Sequence, residues 1–309
     1  MDKKTERLVD VARMYYEQDR TQSEIADQYG ISRPMVSKLL KEARDKGIVT
    51  IRISAPQEES GGALSLMELV GRCFGIYDGV AVPDGPNDQT TNEAVAEAAI
   101  SYLSGLGGTG LGIGWGHIIG DVVKHMEQRE TLVPIGTFVC PLIGNGGVGL
   151  KNYHSNELVR SIAEHSGAQP RFIYSPACVL SEQELKLTRE LDSYHEIYHV
   201  WEKLDVALVN IGNFPSVPDF ASEARYGDLL IRQKAVGRIL NYFMDSQGHI
   251  IRSDTDYAIQ IPLELLTRTR HVVGICSANT SPKAFRAALK TGYLKHFIAP
   301  EHVVREALE

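Results

Sequence analysis

The stretch SEIADQYGISRPMVSKLL, residues 23–40, contains two short helical patterns on either side of a glycine. Just before it, Thr21 begins the Thr-x-x-Glu pattern of a capping box with Glu24, which predicts the start of a helix. Gly30 should end that helix, because glycine adopts a positive φ without strain. Ser32 is a favourable N-cap for a further helix. The stretch therefore predicts two helices joined by a tight turn.

An additional helical pattern from Lys4 to Glu17 precedes this pair, and the capped helix should run from Gln22 to about Tyr29. Within it, Ile25 lies on the inner face, and Ala26 is small enough to let the next helix approach closely. These offsets are typical of a helix-turn-helix, whose last helix enters the major groove of DNA.

The helix that follows Ser32 separates apolar from polar residues. Its apolar stripe is formed by Val36, Leu39, Leu40 and Ala43. Its other side carries the residues that we expect to contact DNA, namely Arg33, Pro34, Ser37, Lys38 and Lys41. The alternative is an ordinary helical hairpin whose basic face is merely solvated.

The charge distribution also separates this region from the rest of the chain. The 309 residues carry a net charge of −7, but residues 1–52 hold 11 Lys and Arg against 9 Asp and Glu. The remaining residues hold 21 basic and 30 acidic side chains. Lys and Arg near phosphates provide most of the non-specific affinity for DNA. A basic region confined to the N-terminus therefore predicts a nucleic-acid-binding domain attached to an acidic larger region.

A change in composition marks the end of the N-terminal region. Residues 48–54, IVTIRIS, alternate and are β-branched, so they predict a strand, and residues 55–64 read as a Pro- and Gly-containing linker. We expect a DNA-binding helix-turn-helix domain over residues 1–55 and an effector-binding and oligomerisation domain over residues 56–309.

Other features suggest the cellular compartment. The N-terminus is charged throughout, which argues against a signal peptide, and no apolar run reaches the length of a membrane span. The four cysteines, Cys73, Cys140, Cys178 and Cys276, are scattered without a Cys-x-x-Cys pair. These observations predict free thiols in a reducing cytoplasm and no membrane partner.

In the larger region, short apolar runs alternate with helical patterns. This alternation predicts an open, mostly parallel α/β sheet. The predicted strands cover residues 79–83, 109–113, 137–143, 171–175, 205–212, 271–277 and 296–300.

Two glycine-rich turns, GIGWG at 112–116 and GNGGVG at 144–149, each follow a predicted strand and precede a predicted helix. Ligands of parallel sheets bind at such strand ends, and glycines let backbone amides surround an anion. Neither turn matches a dinucleotide fingerprint or a P-loop. A purely structural role is the alternative, since tight turns between strand and helix need glycine anyway.

His195 and His199 form an HExxH pattern, which is typical of zinc peptidases. No third ligand presents itself, and the run continues as a helix that leads into a strand. We therefore expect solvated or packing histidines and no metal, and a zinc peptidase remains a minor alternative.

Several of these motifs resemble the SorC family of bacterial sugar-responsive transcriptional regulators, over essentially the whole chain. The motifs are the helix-turn-helix over residues 15–49, GIGWG, the Gly-Gly of GNGGVG, DVALVNIG at 205–212, AVGRILNYFMDSQG at 235–248 and KAFRAALKTGYL at 283–294. The resemblance implies a small all-helical N-terminal domain and a larger Rossmann-like α/β domain similar to sugar-phosphate isomerases and deaminases. That domain would bind a sugar or sugar phosphate without catalysis and carry the contacts of a tetramer.

The resemblance also implies an effector site, which is made of Gly114, Trp115, Gly116, His117, Asn145, Gly146, Gly147, Asp245 and Lys283. Asp245 would accept hydrogen bonds from sugar hydroxyls, and Lys283 would pair with a phosphate. The chain departs from the family pattern at His117, where many members have a hydroxyl residue. It also has Asn145 where some members have a lysine, and Arg238 where an aspartate is common.

Together, these features predict a transcriptional regulator of carbohydrate genes, a repressor, that binds double-stranded operator DNA. Its effector would be a small sugar or sugar phosphate, with no cofactor required. The rival hypothesis is a sugar-phosphate isomerase or deaminase that carries an accessory DNA-binding domain.

Overall fold

The computed structural model describes residues 3–16, 18, 20–45, 48, 65–147, 149–216 and 225–309. The chain divides into two compact units, residues 1–63 and residues 64–309. The predicted domain boundary at residue 55, the linker over 55–64 and all of the predicted 48–54 strand except Ile48 lie outside the described residues.

The N-terminal unit contains the three predicted helices, α1 (Lys3–Tyr16), α2 (Gln22–Tyr29) and α3 (Arg33–Asp45). The capping box at the start of α2 is present, because the Thr21 hydroxyl accepts from the backbone N–H of Glu24, whose carboxylate accepts from the backbone N–H of Thr21. Gly30 ends α2 in the left-handed conformation, with φ of +61°.

Apolar residues from all three helices form the core of this unit. Val11, Ile25, Val36 and Leu40 are buried together, and Leu39 packs against them while it remains partly exposed. Ala26 is also buried, as expected for the close approach of α2 and α3. The apolar stripe predicted along α3 therefore faces the other two helices.

The larger unit is an α/β domain. Its helices are α4 (Leu66–Phe74), α5 (Asp88–Leu106), α6 (His117–Glu127), α7 (Ser155–Ser166), α8 (Glu182–Glu190), α9 (Asp192–Trp201), α10 (Leu229–Arg232), α11 (Leu263–Arg268), α12 (Pro282–Lys290) and α13 (Glu301–Leu308). Its strands are β1 (Asp78–Val82), β2 (Gly110–Ile113), β3 (Phe138–Pro141), β4 (Gln169–Pro170), β5 (Val206–Asn213), β6 (Ala235–Ile239), β7 (Tyr242–Asp245), β8 (His271–Ile275) and β9 (His296–Pro300).

Seven strands form a parallel sheet in the order β1-β9-β8-β5-β2-β3-β4. This arrangement confirms the predicted parallel α/β fold. Successive residues of a strand point to opposite faces of a sheet, and the central strand β5 shows this directly. Val206 and Leu208 pack into the core on one face, and Ala207 and Val209 pack into the core on the other.

The sequence did not predict the antiparallel part of the sheet. Strand β6 pairs antiparallel with the end of β5 and antiparallel with β7. Strands β6 and β7 therefore form a hairpin that extends the sheet beyond its parallel strands. From the sequence, the motif AVGRILNYFMDSQG indicates only the family, because its strand pairing depends on where β5 ends.

The strand predicted over 171–175 is wrong. Residues 171–175 form no strand, and β4 ends just before them at Pro170. The reason is visible at Ile173, whose backbone N–H donates to the Asn156 side chain and whose carbonyl accepts from it. Side-chain amides thus replace the neighbouring strand as partners of this backbone.

Among the helices of the described residues, none has the combined length and apolar character that a membrane crossing requires.

Candidate functional site

The face of α3 opposite the core is exposed to solvent. All five residues predicted to contact DNA lie on it and are exposed, namely Arg33, Pro34, Ser37, Lys38 and Lys41. A row of polar and basic side chains on the outside of the third helix can enter a major groove without disturbing the fold.

A shallow hollow next to Arg33 extends this surface to the start of α2. It is lined by Tyr15, Tyr16, Arg20, Thr21, Gln22, Ser23 and Arg33. The hydroxyl, amide and guanidinium groups of such residues are donors that can contact phosphates beside the groove. Sequence reasoning did not single out Arg20, which precedes the N-cap of α2, or Gln22 and Ser23, which begin that helix. The signal was available, because the second helix of a helix-turn-helix is expected to lie across the DNA backbone.

The larger unit contains a cavity of about 670 Å³ at the C-terminal ends of β2, β5 and β8. Parallel sheets bind their ligands at this end. Its lining is mostly polar and consists of Gln89, Asn92, Glu93, Gly116, His117, Ile118, Asp121, Lys124, His125, Tyr153, Asn210, Ile211, Gly212, Asn213, Pro215, Ser216, Arg238, Ser277, Asn279 and Thr280.

The first glycine-rich turn leads directly from β2 into α6 at the wall of this cavity. Gly116 is the N-cap of α6, has φ of +111° and provides no side chain to cap the helix. The next residues, His117 and Ile118, line the cavity. Because the first N–H groups of a helix have no intrahelical partner and carry partial positive charge, this end of the cavity favours an anion.

The floor of the cavity is formed by the end of β5. Asn210 is only 7% exposed, and its Oδ1 atom has no hydrogen-bond partner among the described residues. Gly212 lies under Arg238, because a Cβ atom on Gly212 would be 3.0 Å from the Arg238 Nε atom. Arg238 is 5% exposed, and its Nη1 atom donates to Asn241 Oδ1 over 3.0 Å.

A third side of the cavity is the loop between β8 and α12. Asn92 Oδ1 accepts from the backbone N–H of Ala278 over 2.7 Å. The Asn213 side chain donates to the carbonyl of Asn279 and accepts from the backbone N–H of Ser281. Two asparagines from different elements therefore hold the loop in place, and sequence reasoning identified neither.

Glu93 of α5 and Asp121 of α6 bring carboxylates to the cavity. Burial raises the pKa of Asp121, and the charge of Glu93 adds to this rise, while His125 and Lys124 lower it in part. The cavity wall thus carries two carboxylates that can accept hydrogen bonds, and Lys124 and His125 lie near one of them, Asp121.

Only Gly116 and His117 of the predicted effector residues line the cavity. Gly114 lies behind Asn210, since a Cβ on it would be 3.1 Å from Asn210 Oδ1. Trp115 is buried and packs edge-on against Tyr153, which also bounds Gly146. The structure therefore brings these residues together in and behind one wall.

The other predicted effector residues lie away from the cavity lining. Asn145 accepts from the backbone N–H of Asn156 and donates to the carbonyl of Ile173, both over 3.3 Å. Gly147 is exposed, and no atom lies within 4 Å of the position of a Cβ atom on it. Lys283 is exposed near the start of α12.

Asp245 ends β7 and stabilises the turn that follows. Its Oδ1 atom accepts from the backbone N–H groups of Gln247 and His249, over 2.8 and 3.0 Å. Burial acts to raise the pKa of Asp245, but these hydrogen bonds and the His249 side chain lower it overall. The carboxylate is therefore occupied within its own turn.

The HExxH pattern lies on α9, with His195 and His199 both exposed. His199 Nδ1 is 2.8 Å from the carboxylate of Glu202. Over the part of the chain that the structure describes, no group of three or more His, Cys, Asp or Glu side chains could hold a metal ion.

Comparison with known families matches both units. The model of the "Putative sugar-binding domain" family matches residues 59–309, and the model of "Sigma-70, region 4" matches residues 5–46. The sorbitol operon regulator of Klebsiella pneumoniae is 30% identical over 300 residues, which cover 93% of this chain and 92% of that protein. The deoxyribonucleoside regulator of Bacillus subtilis is 27% identical and covers 99% of this chain and 98% of its own length.

Solved structures agree with these matches. The crystal structure of the full-length sorbitol operon regulator from Klebsiella pneumoniae has a TM-score of 0.71 and 26% identity and covers 100% of both chains. The crystal structure of a "Probable sor Operon Regulator" from Shigella flexneri has the same fold, with a TM-score of 0.68 and 21% identity over 79% of this chain and 98% of that one. The chain therefore belongs to the SorC family of sugar-responsive transcriptional regulators, as its sequence motifs predicted.

Proposed function

We propose that this protein binds operator DNA through α3 and releases it when a sugar or sugar phosphate occupies the cavity in the larger unit, and thus acts as a repressor. The observation that carries the proposal is the presence, in one chain, of an exposed basic helix face and a polar cavity at the strand ends. The names of two relatives, the sorbitol operon regulator and the deoxyribonucleoside regulator, support an effector of carbohydrate type.

The DNA-binding half is tested by substitutions on the exposed face of α3. We expect Ser37→Ala or Arg33→Ala to lose about 1–3 kcal/mol of operator discrimination, as expected if a base contact is removed. Lys41→Ala should weaken binding to all sequences and reduce the salt dependence by roughly one counterion. Lys186→Ala, on α8, removes one exposed positive charge elsewhere and is the matched control.

Electrophoretic mobility shifts with operator and scrambled DNA at several salt concentrations measure these effects. Unchanged operator affinity in all three α3 variants would contradict the assignment of α3 as the recognition helix.

For the effector, we propose that Gly116 and His117 contact it directly. Gly114, Trp115 and Gly146 shape the wall behind them. A thermal-shift screen of sugars and sugar phosphates with the full chain, followed by DNA binding in the presence of each hit, tests this half. A cavity ligand that raises the melting temperature without changing DNA affinity would contradict the proposed regulation.

We also propose a homotetramer in the cytoplasm, the compartment that holds the chromosome. Operators of helix-turn-helix proteins are pseudo-palindromes that two related domains bind together, which favours an even number of chains. Sedimentation velocity of the full chain, alone and with operator DNA, measures the assembly. A stable monomer or a stable dimer under both conditions would contradict this proposal.

The enzymatic alternative remains testable. The names of the relatives given above are those of regulators, and we propose that the cavity binds its ligand without turnover. Incubation of the full chain with pentose and hexose phosphates, followed by chromatography for isomerised or deaminated products, is the test. Product formation that scales with protein concentration would favour the isomerase or deaminase alternative.

A further inference from the structure

His302, near the start of α13, places its two ring nitrogens next to two different hydrogen-bond acceptors. Its Nδ1 atom is hydrogen-bonded to a carboxylate oxygen of Asp84, in the segment that follows β1. Its Nε2 atom lies 3.1 Å from the carbonyl oxygen of Ala278, in the loop between β8 and α12. The other carboxylate oxygen of Asp84 accepts from the backbone N–H of His302 over 3.0 Å, which fixes the ring between its two partners.

The charged form of this ring is the form that satisfies both acceptors. A neutral imidazole carries one N–H and one lone pair, whereas an imidazolium has two N–H donors. In the neutral form the proton stays on Nδ1, because a hydrogen bond to a carboxylate is stronger than one to a carbonyl. The lone pair of Nε2 then faces the carbonyl oxygen of Ala278, and the hydrogen bond between His302 and Ala278 is lost.

Ala278 belongs to the loop that forms one side of the cavity. Its neighbours Ser277, Asn279 and Thr280 line the cavity, while Ala278 itself is buried. The backbone N–H of Ala278 donates to Asn92, so side chains of two other elements hold both backbone groups of this residue. The position of the loop therefore depends in part on the charge of the histidine ring.

The charged group that contacts this ring is Asp84. On α13 itself, Glu301 is paired with Arg305, and Glu306 lies one turn beyond His302. The elements packed against α13 are α4, β1, β9 and α12. Over the residues that the structure describes, the acidic and basic side chains of those four elements make no hydrogen bond or ion pair with the His302 ring, namely Glu68, Arg72, Asp78, Lys283, Arg286 and Lys290.

We propose that His302 is a positioning residue for this side of the cavity. In its charged form it holds Ala278, and through Ala278 the loop over residues 277–281, and loss of the proton releases the loop. Histidine side chains change charge between about pH 5 and 8, so the loop responds to pH in the physiological range. This inference rests on the proposed function only in taking the cavity as the effector site.

Hydrogen exchange of the loop in the full chain, without any ligand, tests the hydrogen bond between His302 and Ala278. Four backbone N–H groups of the loop have acceptors, so their exchange reports its opening, namely those of Ser277, Ala278, Thr280 and Ser281. Mass spectrometry compares exchange at pH 6 and pH 8, corrected for the intrinsic pH dependence of amide exchange. The wild-type loop should open about tenfold more often at pH 8, as expected when one hydrogen bond from a charged group is lost.

Two substitutions should both remove this pH dependence, but with opposite effects on the loop. His302→Phe keeps a ring without donors, so the loop should open at pH 6 as often as the wild-type loop does at pH 8. Asp84→Asn offers an N–H to Nδ1, so a neutral ring can donate from Nε2 to Ala278, and the loop should stay closed at both pH values. His199→Phe, on α9, removes another histidine with a carboxylate partner, Glu202, and is the matched control.

Equal corrected exchange of the wild-type loop at the two pH values would overturn the proposal. So would a His302→Phe loop that keeps the wild-type pH dependence. If His302→Phe does not fold, Asp84→Asn decides, because a loop that still opens at pH 8 in that variant contradicts the protonation argument.

Operator binding without effector, measured on the same samples, separates this inference from the proposed function. Because α3 lies in the other unit, all three variants should bind operator DNA as the wild type does. If exchange lacks the expected pH dependence while operator binding is normal, the role of His302 is wrong and the repressor stands. If the exchange pattern is found while the wild type binds no operator, the role of His302 stands and the proposed repressor is wrong.

Discussion

The two glycine-rich turns of the larger unit differ in structure, although both sequences predict a turn whose backbone amides surround an anion. GIGWG contributes Gly116 to the cavity at the strand ends, whereas none of the described residues of GNGGVG lines it. Both turns are hydrogen-bonded to the same 3₁₀ turn, Lys151–Tyr153. The backbone N–H of Gly116 donates to the carbonyl of Asn152, and the backbone N–H of Gly146 donates to the carbonyl of Tyr153.

The difference follows from the distance between glycine and helix. Gly116 is itself the N-cap of α6, so the end of the first turn and the start of the helix coincide. After Gly149, the chain forms the 3₁₀ turn before α7 begins at Ser155. Only the first turn therefore presents the open N–H groups of a helix at the cavity, and the second serves as packing for the wall.

The largest effect that this comparison predicts is at Gly144 of the second turn. A Cβ atom there would lie 2.2 Å from the carbonyl oxygen of Pro176 and 2.8 Å from the backbone nitrogen of Ala177. Because backbone atoms cannot rotate away, Gly144→Ala should lower the free energy of unfolding by about 3 kcal/mol. Urea denaturation measures this, and a loss below about 1 kcal/mol would show that the turn is not tightly packed.

The next effect is at Gly116 of the first turn. Its φ of +111° and ψ of 176° define a conformation that is essentially restricted to glycine. Gly116→Ala should therefore cost about 2 kcal/mol of stability and also weaken effector binding, because the N-terminus of α6 moves. Thermal denaturation and ligand calorimetry on the same sample measure both effects. An unchanged ligand affinity would show that this turn does not contribute to the effector site.

A smaller effect is expected at Asn145, where the side chain makes two long hydrogen bonds to backbone groups. Asn145→Ala should lose about 1 kcal/mol of stability and leave the effector response unchanged. The measurement is urea denaturation together with DNA release by the effector. Loss of the response at unchanged stability would instead place Asn145 in the binding site, as the family resemblance implied.

The smallest effect is expected at Gly147, only three residues after Gly144. Its surroundings are open and its φ is not positive, so Gly147→Ala should change the free energy of unfolding by less than about 0.5 kcal/mol. It is the matched control for Gly144→Ala under the same urea series. Equal destabilisation by Gly144→Ala and Gly147→Ala would show that the packing around Gly144 does not determine the effect.

Much of the fold could be predicted from the sequence where the signals are local. The capping box at Thr21, the turn at Gly30 and the stripe along α3 involve neighbours within a few residues, and the structure confirms each of them. Most parallel strands were predicted from short apolar runs, and those of β2, β5, β8 and β9 are almost entirely buried. The strand predicted at 171–175 does not form, because the side chain of Asn156, from a different element, hydrogen-bonds to both backbone groups of Ile173.

By itself, the sequence determined the helix-turn-helix, the parallel α/β class and the family, since each depends on periodicity, caps and motifs along the chain. Only the tertiary structure decided which charged and polar side chains meet in the cavity. Arg238, Asp121 and Asn210 come from three separate elements, and their proximity depends on strand order and on the hairpin that pairs with β5. Asp245 and Lys283 have suitable chemistry, but their position is set by how the hairpin and α12 pack, which no local pattern encodes.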